Sequence, residues 1–191
     1  MKIVLASASP RRKELLEKLG LEFEVDPGNH AEKLRPTSDP HALAREISLK
    51  KASVVAGKHP DALIIAADTF IVFGDTILGK PENKTESRKM LTTLNGKSHV
   101  VITGFSIIDT KNGKAISGSE ETTVHMKELT PQEIDAYVKS QEPLGKAGAY
   151  AIQGIGAVII DRIEGDYFNV VGLPLATLTE ALKGFGVYVL K

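Results

Sequence analysis

The chain has 191 residues, 42% of them apolar, with 24 Lys and Arg balanced by 24 Asp and Glu and no cysteine. This suits one domain spanning residues 1–191, or two small lobes sharing a cleft, and excludes a disordered chain. The formal net charge of 0 argues against a binder of duplex nucleic acid, which needs a positive excess, and the missing cysteines exclude disulfides, thiolate chemistry and sulfur-built zinc sites.

The first predicted element is a strand, Ile3 to Ala6. The apolar run of Met1 to Ser7 is too short for a signal peptide, and no stretch approaches the ~18 apolar residues of a membrane span. A cytoplasmic protein without membrane contact is expected. Ser9 and Pro10 are a helix cap and a first helical residue, and Leu15, Leu16 and Leu19 form one face of a helix closed by Gly20. A short strand over Glu22 to Val25 precedes a loop, Asp26 to Pro40, long enough to suggest function. Asp39 caps a second helix to about Gly57. Leu63 to Ala67 is a continuous apolar run that reads as a strand buried on both faces. It ends at Asp68 and Thr69, and a hairpin follows over Phe70 to Leu78.

After the Gly79-Lys80-Pro81 loop, a helix is predicted near Lys84 to Leu94. Two long strands, His99 to Ile108 and Ala115 to Met126, flank the hairpin signal Asn112-Gly113. Thr130-Pro131 opens a helix with Ile134, Tyr137 and Val138 facing inward. Gly145 to Gly156 is a glycine-rich connection. Val158 to Ile163 and Phe168 to Val171 read as strands, Pro174 to about Lys183 as a helix, and the chain from Val187 as a last strand. The pattern predicts a mixed α/β sheet rather than a regular βαβ series.

Arg11, Arg12 and Lys13 occupy the opening turn of the first helix. Cations are unfavourable there by a few tenths to about 1 kcal/mol each, because the helix dipole makes that end positive. A bound anion reverses the problem, and it gains free N–H groups, hydroxyls and guanidiniums together. Ser7, Ser9, Arg11 and Arg12 are therefore a candidate phosphate site; the alternative is a solvated basic helix start relieved by Glu14 and Glu17. Asp68, at the end of its buried strand, must be paired, hydrated or metal-bound. It is a candidate general base or metal ligand, or a turn cap. Lys80 can reach a phosphate as a mobile point charge. From chemistry alone, however, a lone loop lysine such as Lys80 is usually solvated, and Lys51 and Glu32 too read first as solvated surface residues. Gln153 can match the N3–H donor and O4 acceptor of uracil or thymine. The five histidines show no metal-ligand spacing, so a metal would rest on carboxylates and phosphate oxygens, which suits Mg2+ or Mn2+.

Leu5-Ala6-Ser7-Ala8-Ser9-Pro10-Arg11-Arg12, Ala67-Asp68-Thr69, Gly79-Lys80-Pro81, Glu142-Pro143, Lys146-Ala147-Gly148-Ala149-Tyr150 with Ile152-Gln153-Gly154, and Val171-Gly172-Leu173-Pro174 together resemble the Maf family, in its order and over nearly the whole chain. The resemblance implies an elongated, twisted mixed sheet with flanking helices, in two lobes around a central cleft, related to the inosine triphosphate pyrophosphatases. It implies a nucleoside triphosphate as partner, cleaved between the α and β phosphates with a divalent metal cation (Mg2+ or Mn2+). Asp68 is implied as catalytic proton acceptor and metal ligand, Glu32 as the second metal ligand, and Ser7, Arg12, Lys51 and Lys80 as substrate-binding residues. Arg11, Thr69 and Gln153 stand at the family's specificity positions and look like its dTTP/UTP branch. Family members often form homodimers and are linked to septum formation. A 7-methyl-GTP preference and a non-catalytic role in septum formation are the alternatives. Where the family usually has two consecutive acids, this chain has Ala31-Glu32, and Ala66 and Ala151 replace common glycines.

Overall fold

The structure, a computed structural model, describes residues 1–28 and 39–190. In chain order the elements are β1 (Lys2–Leu5), α1 (Pro10–Glu17), β2 (Glu24–Val25), α2 (Pro40–Ala56), β3 (Ala62–Phe73), β4 (Thr76–Leu78), α3 (Lys84–Leu94), β5 (Ser98–Asp109), β6 (Ala115–Met126), α4 (Pro131–Lys139), two 3-10 turns (Ala147–Ala149 and Gly154–Ile159), β7 (Ile160–Gly165), α5 (Tyr167–Val171) and α6 (Leu175–Lys183). The strands form one sheet in the order β2-β1-β3-β5-β6-β7, with β4 also paired to β3. β1 runs parallel to β2 and β3, and all other pairings are antiparallel. The predicted mixed α/β sheet with flanking helices is therefore present.

The strand β3 organises the molecule. One edge is paired with β5 from Leu63 to Val72. The other edge is shared: β1 takes Ala62 to Ile65, and β4 takes Ile71 to Phe73. Among the described residues, Ala66 to Phe70 have no strand partner on that second edge, so the sheet splits there into two halves.

Side chains alternate across a strand with period two, and the core divides at the same level on both faces. On one face Leu63, Ile65 and Ala67 join a cluster with α1 and α6, whereas Ile71 joins a cluster with α3 and α4; Thr69 stands between them. On the other face Ile64 and Ala66 pack with Ala52 and Val55 of α2, and Phe70 packs with Leu43 and Ile47; Asp68 stands between. Asp68 was expected at the end of a strand. In fact β3 continues to Phe73, and what ends beside Asp68 is the pairing of its neighbour β1.

Two other expectations are corrected. Phe168 to Val171 lies in the short helix α5, capped by Asp166, whose carboxylate accepts from Phe168 N at 2.8 Å. A short apolar run does not distinguish strand from buried helix, and here Phe168 and Val171 pack on one core while Asn169 is buried against the sheet. The chain from Val187 is no strand. It turns back so that Val187 N donates to Leu182 O at 3.2 Å, and its side chain packs on the core. The expected strand from Val158 starts at Ile160, because Val158 belongs to a 3-10 turn and is 64% exposed.

Gly104 lies opposite Asp68 in the β3–β5 register. A Cβ there would stand 2.2 Å from Ala44 O and 2.8 Å from Ala44 Cβ of α2. The missing side chain lets α2 rest on the sheet at the level of the split. Gly104→Ala is expected to destabilise the fold by about 2–3 kcal/mol, as overpacked cores do, which lowers Tm by roughly 4–12 °C at this chain length. A melting curve checks this, and an unchanged Tm would mean that α2 has room to move away.

Candidate active site

The split opens into a cleft of ≈ 460 Å³. Its walls are the Ser7–Pro10 loop and first turn of α1, Ala67 to Thr69 of β3, Lys51 of α2, Lys80, residues 144–152 in part, and Val170 to Gly172. The loop begins where β1 leaves the sheet, and the first turn of α1 lines the opening; Pro10 carries no N–H, Arg12 N and Lys13 N are bonded to Ser9, and among the described residues the Arg11 N–H is the one in that turn without a partner. Ser9 caps α1, its hydroxyl accepting from Arg12 N at 3.4 Å, and Ser7 Oγ accepts from Ser9 N at 3.2 Å. The first turn of α1 has no acidic residue, whereas α3 and α4 carry Glu86 and Glu133 there. Among the described residues five cations line the cleft, Arg11, Arg12, Lys51, Lys80 and Lys146, against one carboxylate, Asp68. In a chain of net charge 0, that local excess makes an anion site.

Arg12 joins the two halves. Its Nε donates to Gly172 O at 2.8 Å, Nη1 to Ser7 Oγ at 3.3 Å and Nη2 to Thr69 Oγ1 at 3.0 Å. A guanidinium has five N–H donors, so among the described residues one on each terminal nitrogen has no partner, a pair that suits a phosphate. Thr69 continues the chain. Its hydroxyl is 2.9 Å from Thr103 Oγ1, and Thr103 donates to Asn169 O at 3.0 Å. With its own proton spent on Asn169, Thr103 must accept from Thr69. Asn169 is anchored in turn by Nδ2 bonds to Val101 O at 3.1 Å and Thr122 Oγ1 at 2.9 Å. Gly172 ends α5 at φ 125, a conformation that favours glycine, and this places its carbonyl on Arg12.

On the opposite face of β3, Asp68 is paired with Lys51 Nζ, both side chains mostly buried. Lys80 reaches the same space. Burial lowers its pKa first, and Arg12 adds to the effect, while Asp68 opposes it. Arg12 is lowered by burial, with Asp68 opposing. Arg11 and Lys146 are lowered by burial too, and Glu142 opposes this for both. Tyr150 closes the floor, its hydroxyl 2.7 Å from Nε2 of buried His99. Burial pulls the His99 pKa down to about 4.

Of the residues expected from sequence, Ser7, Arg11, Arg12, Lys51, Asp68, Thr69 and Lys80 all line this cleft. Gln153 is half-buried just beyond the lining residue Ile152 and is not itself part of the wall. Glu32 lies outside the described residues. Lys146, Tyr150, Thr103, Asn169 and Gly172 were not predicted as site residues. Lys146, Tyr150 and Gly172 belong to segments already quoted, but nothing in their spacing revealed a partner. Among the described residues no group of three His, Asp or Glu could hold a metal by itself, and no helix is long and apolar enough to cross a membrane.

The fold and cleft define a mixed-sheet α/β protein built to hold a polyanion at a break in its sheet. A solved structure of the Staphylococcus aureus Ham1 protein shares the fold, with TM-score 0.51 and 12% identity, covering 97% of this chain and 100% of that one. The family model described as Maf-like protein matches residues 2–185, and the chain belongs to that family. It is 47% identical over 185 residues to a Desulforamulus reducens protein named dTTP/UTP pyrophosphatase, covering 97% of both chains. It is 50% identical over 184 residues to one so named from Thermoanaerobacter pseudethanolicus, covering 96% of both. A Bacillus anthracis protein of that name is 47% identical over 186 residues, covering 97% of this chain and 96% of its own.

Two titrations test this geometry. Because the Lys80 pKa is lowered from 10.5 and a bound polyanion restores the charged form, binding of inorganic tripolyphosphate is expected to take up protons between the lowered value and 10.5. Calorimetry in buffers of different ionisation enthalpy measures that uptake, and binding without protons exchanged contradicts it. For His99, the unfolded chain binds more protons than the folded one between pH 6.5 and about 4. Stability is full above 6.5 and falls with pH through that window, by on the order of 3 kcal/mol in all. His99→Gln is expected to flatten that part of a stability–pH profile.

Proposed function

We propose that this protein hydrolyses dTTP and UTP to the monophosphate and pyrophosphate, with a divalent metal cation. The observation that carries the reading is Asp68 facing five cations and the start of α1 at the break in the sheet, counted among the described residues, in a chain that matches proteins named dTTP/UTP pyrophosphatase over almost its full length. A triphosphate brings roughly four negative charges near neutral pH, which the cleft cations offset without help from the rest of the surface.

In this mechanism the Arg11 N–H at the start of α1, the Ser7 hydroxyl and the guanidinium of Arg12 bind phosphate oxygens. Lys51 and Lys80 orient the chain of phosphates from the other walls. Asp68 accepts a proton from water as the water attacks the α-phosphorus; the bond to the bridging oxygen breaks, and pyrophosphate leaves with the electron pair. Catalysis is then positioning and charge stabilisation, as in other phosphoryl transfers. The donor set suits Mg2+ or Mn2+, which are commonly bound by one or two carboxylates together with substrate phosphates. Asp68, which Lys51 also contacts, and Glu32 would be the two carboxylates that hold the ion. Bound there, the ion supplies charge neutralisation and polarises the α-phosphoryl oxygens. Arg11, Thr69 and Gln153 select the base, Thr69 also by holding Arg12. Dilute free nucleotides in the cytoplasm would be the substrate pool.

Asp68→Asn keeps the shape of the site and removes the proton acceptor. The expected outcome is turnover of dTTP and UTP reduced by about 10²–10⁴ with nucleotide binding retained. Pyrophosphate release from a panel of dTTP, UTP, CTP and 7-methyl-GTP, with magnesium or manganese, checks both the residue and the substrate class. Near-normal release by the variant rejects Asp68 as the base, and equal rates for all four nucleotides reject the specificity.

A further inference from the structure

One carboxylate behind the cleft wall holds several elements together. Glu142 Oε1 accepts from Gly156 N at 2.7 Å and from Tyr137 Oη at 2.9 Å, and Oε2 accepts from Ile155 N at 3.0 Å. Tyr137 Oη in turn accepts from Ala151 N at 3.1 Å. Three backbone N–H groups between residues 151 and 156 are therefore satisfied by two side chains, one from α4 and one just after it. The wrap is close. A Cβ on Gly154, whose φ is 71, would lie 2.4 Å from Glu142 Oε2. A Cβ on Gly156 would lie 2.2 Å from Ala151 O and 2.5 Å from Tyr137 Oη. Both glycines are explained by this contact rather than by a ligand.

The segment so held carries Ile152, which lines the cleft, and Gln153 beside it. It stands apart from the phosphate-binding groups. Lys80 lies in the field of Arg12, Asp68, Lys51 and Arg11, whereas Lys146 lies in that of Arg11 and Glu142, and Arg11 in that of Tyr137, Glu142 and Glu14. The cleft thus has a phosphate end around Arg12, Asp68 and Lys80 and a second end around Lys146 and Ile152 next to Glu142, with Arg11 acting on both.

We infer that Glu142, with Tyr137, is a positioning residue for nucleobase selection, holding the 151–156 wall in register through one hydrogen-bond network. This rests on the function proposed above, since it assumes that a nucleotide lies along the cleft. The carboxylate touches no substrate; it acts through the wall. Glu142→Gln removes the charge and one acceptor, and Tyr137→Phe removes the link to Ala151 at nearly constant volume.

The test measures kcat and KM for UTP, dTTP and CTP, with inorganic tripolyphosphate as a competitive inhibitor that reports on the phosphate end alone. In Glu142→Gln, KM for UTP should rise and the UTP-over-CTP ratio of kcat/KM should fall, each about tenfold, the effect of one lost hydrogen bond to a charged group. The UTP kcat should stay within about threefold. Tripolyphosphate inhibition should change by less than about twofold, because that end is remote. Tyr137→Phe should move the same parameters in the same direction, and it carries the test if circular dichroism shows that Glu142→Gln is misfolded. An unchanged nucleotide ratio in a folded variant overturns the inference while wild-type turnover leaves the proposed function standing. Equal losses for every nucleotide and for tripolyphosphate also overturn it, because they indicate general damage. Wild-type protein that releases no pyrophosphate from any nucleotide overturns the proposed function and this inference with it.

Discussion

The interrupted outer edge of β3 is the constraint from which the rest of the site follows. A strand that is fully paired on both edges offers its backbone to neighbours and its side chains to a core. Here β1 leaves after Ile65 and β4 arrives only at Ile71. The intervening residues stay in strand conformation because β5 pairs from Leu63 to Val72, yet among the described residues no strand pairs with their other edge. Asp68 and Thr69 fall in that gap, and the period of two sends them to opposite faces. One backbone segment therefore supplies Asp68 to α2 and Lys51 on one side, and Thr69 to Arg12 and Thr103 on the other.

The polar groups at the gap are stabilised as networks. Arg12 bridges the loop after β1, the strand β3 and the end of α5 with three hydrogen bonds. The hydroxyl chain through Thr69 and Thr103 then ties the guanidinium to buried Asn169. A buried cation with its donors only partly used is costly in an empty site and favourable once an anion arrives. The same holds for the neighbouring lysine, whose charged form burial disfavours. Glu142 has the opposite role at the far end, where a carboxylate without a ligand-facing duty organises backbone N–H groups and offsets Arg11 and Lys146.

Local signals in the chain determined much of this. Ser9-Pro10 and Asp39-Pro40 set the starts of α1 and α2 because capping and the fixed φ of proline act within a few residues. Asn112-Gly113 located the longest hairpin, and the cations in the opening turn of α1 marked an anion site because a helix dipole is a local field. The motif set pointed to the family, and through it to Asp68, Lys51 and Lys80.

Tertiary structure decided what local signals could not. Whether β3 stops at Asp68 or runs on depends on which strands lie beside it, and pairing across the sheet joins residues about 40 apart in the chain, such as Asp68 and Gly104. Phe168 to Val171 became a helix because Asp166 caps it and the core receives its side chains on more than one side, a property of the surroundings and not of an apolar run. The partners of Arg12 and Glu142, from Gly172 O to Gly156 N, follow from chain segments that meet only when the sheet has formed. Sequence determined which residues have the chemistry; the break in the sheet decided which of them share a cleft, because hydrogen bonds and charge interactions depend on distance in space rather than along the chain.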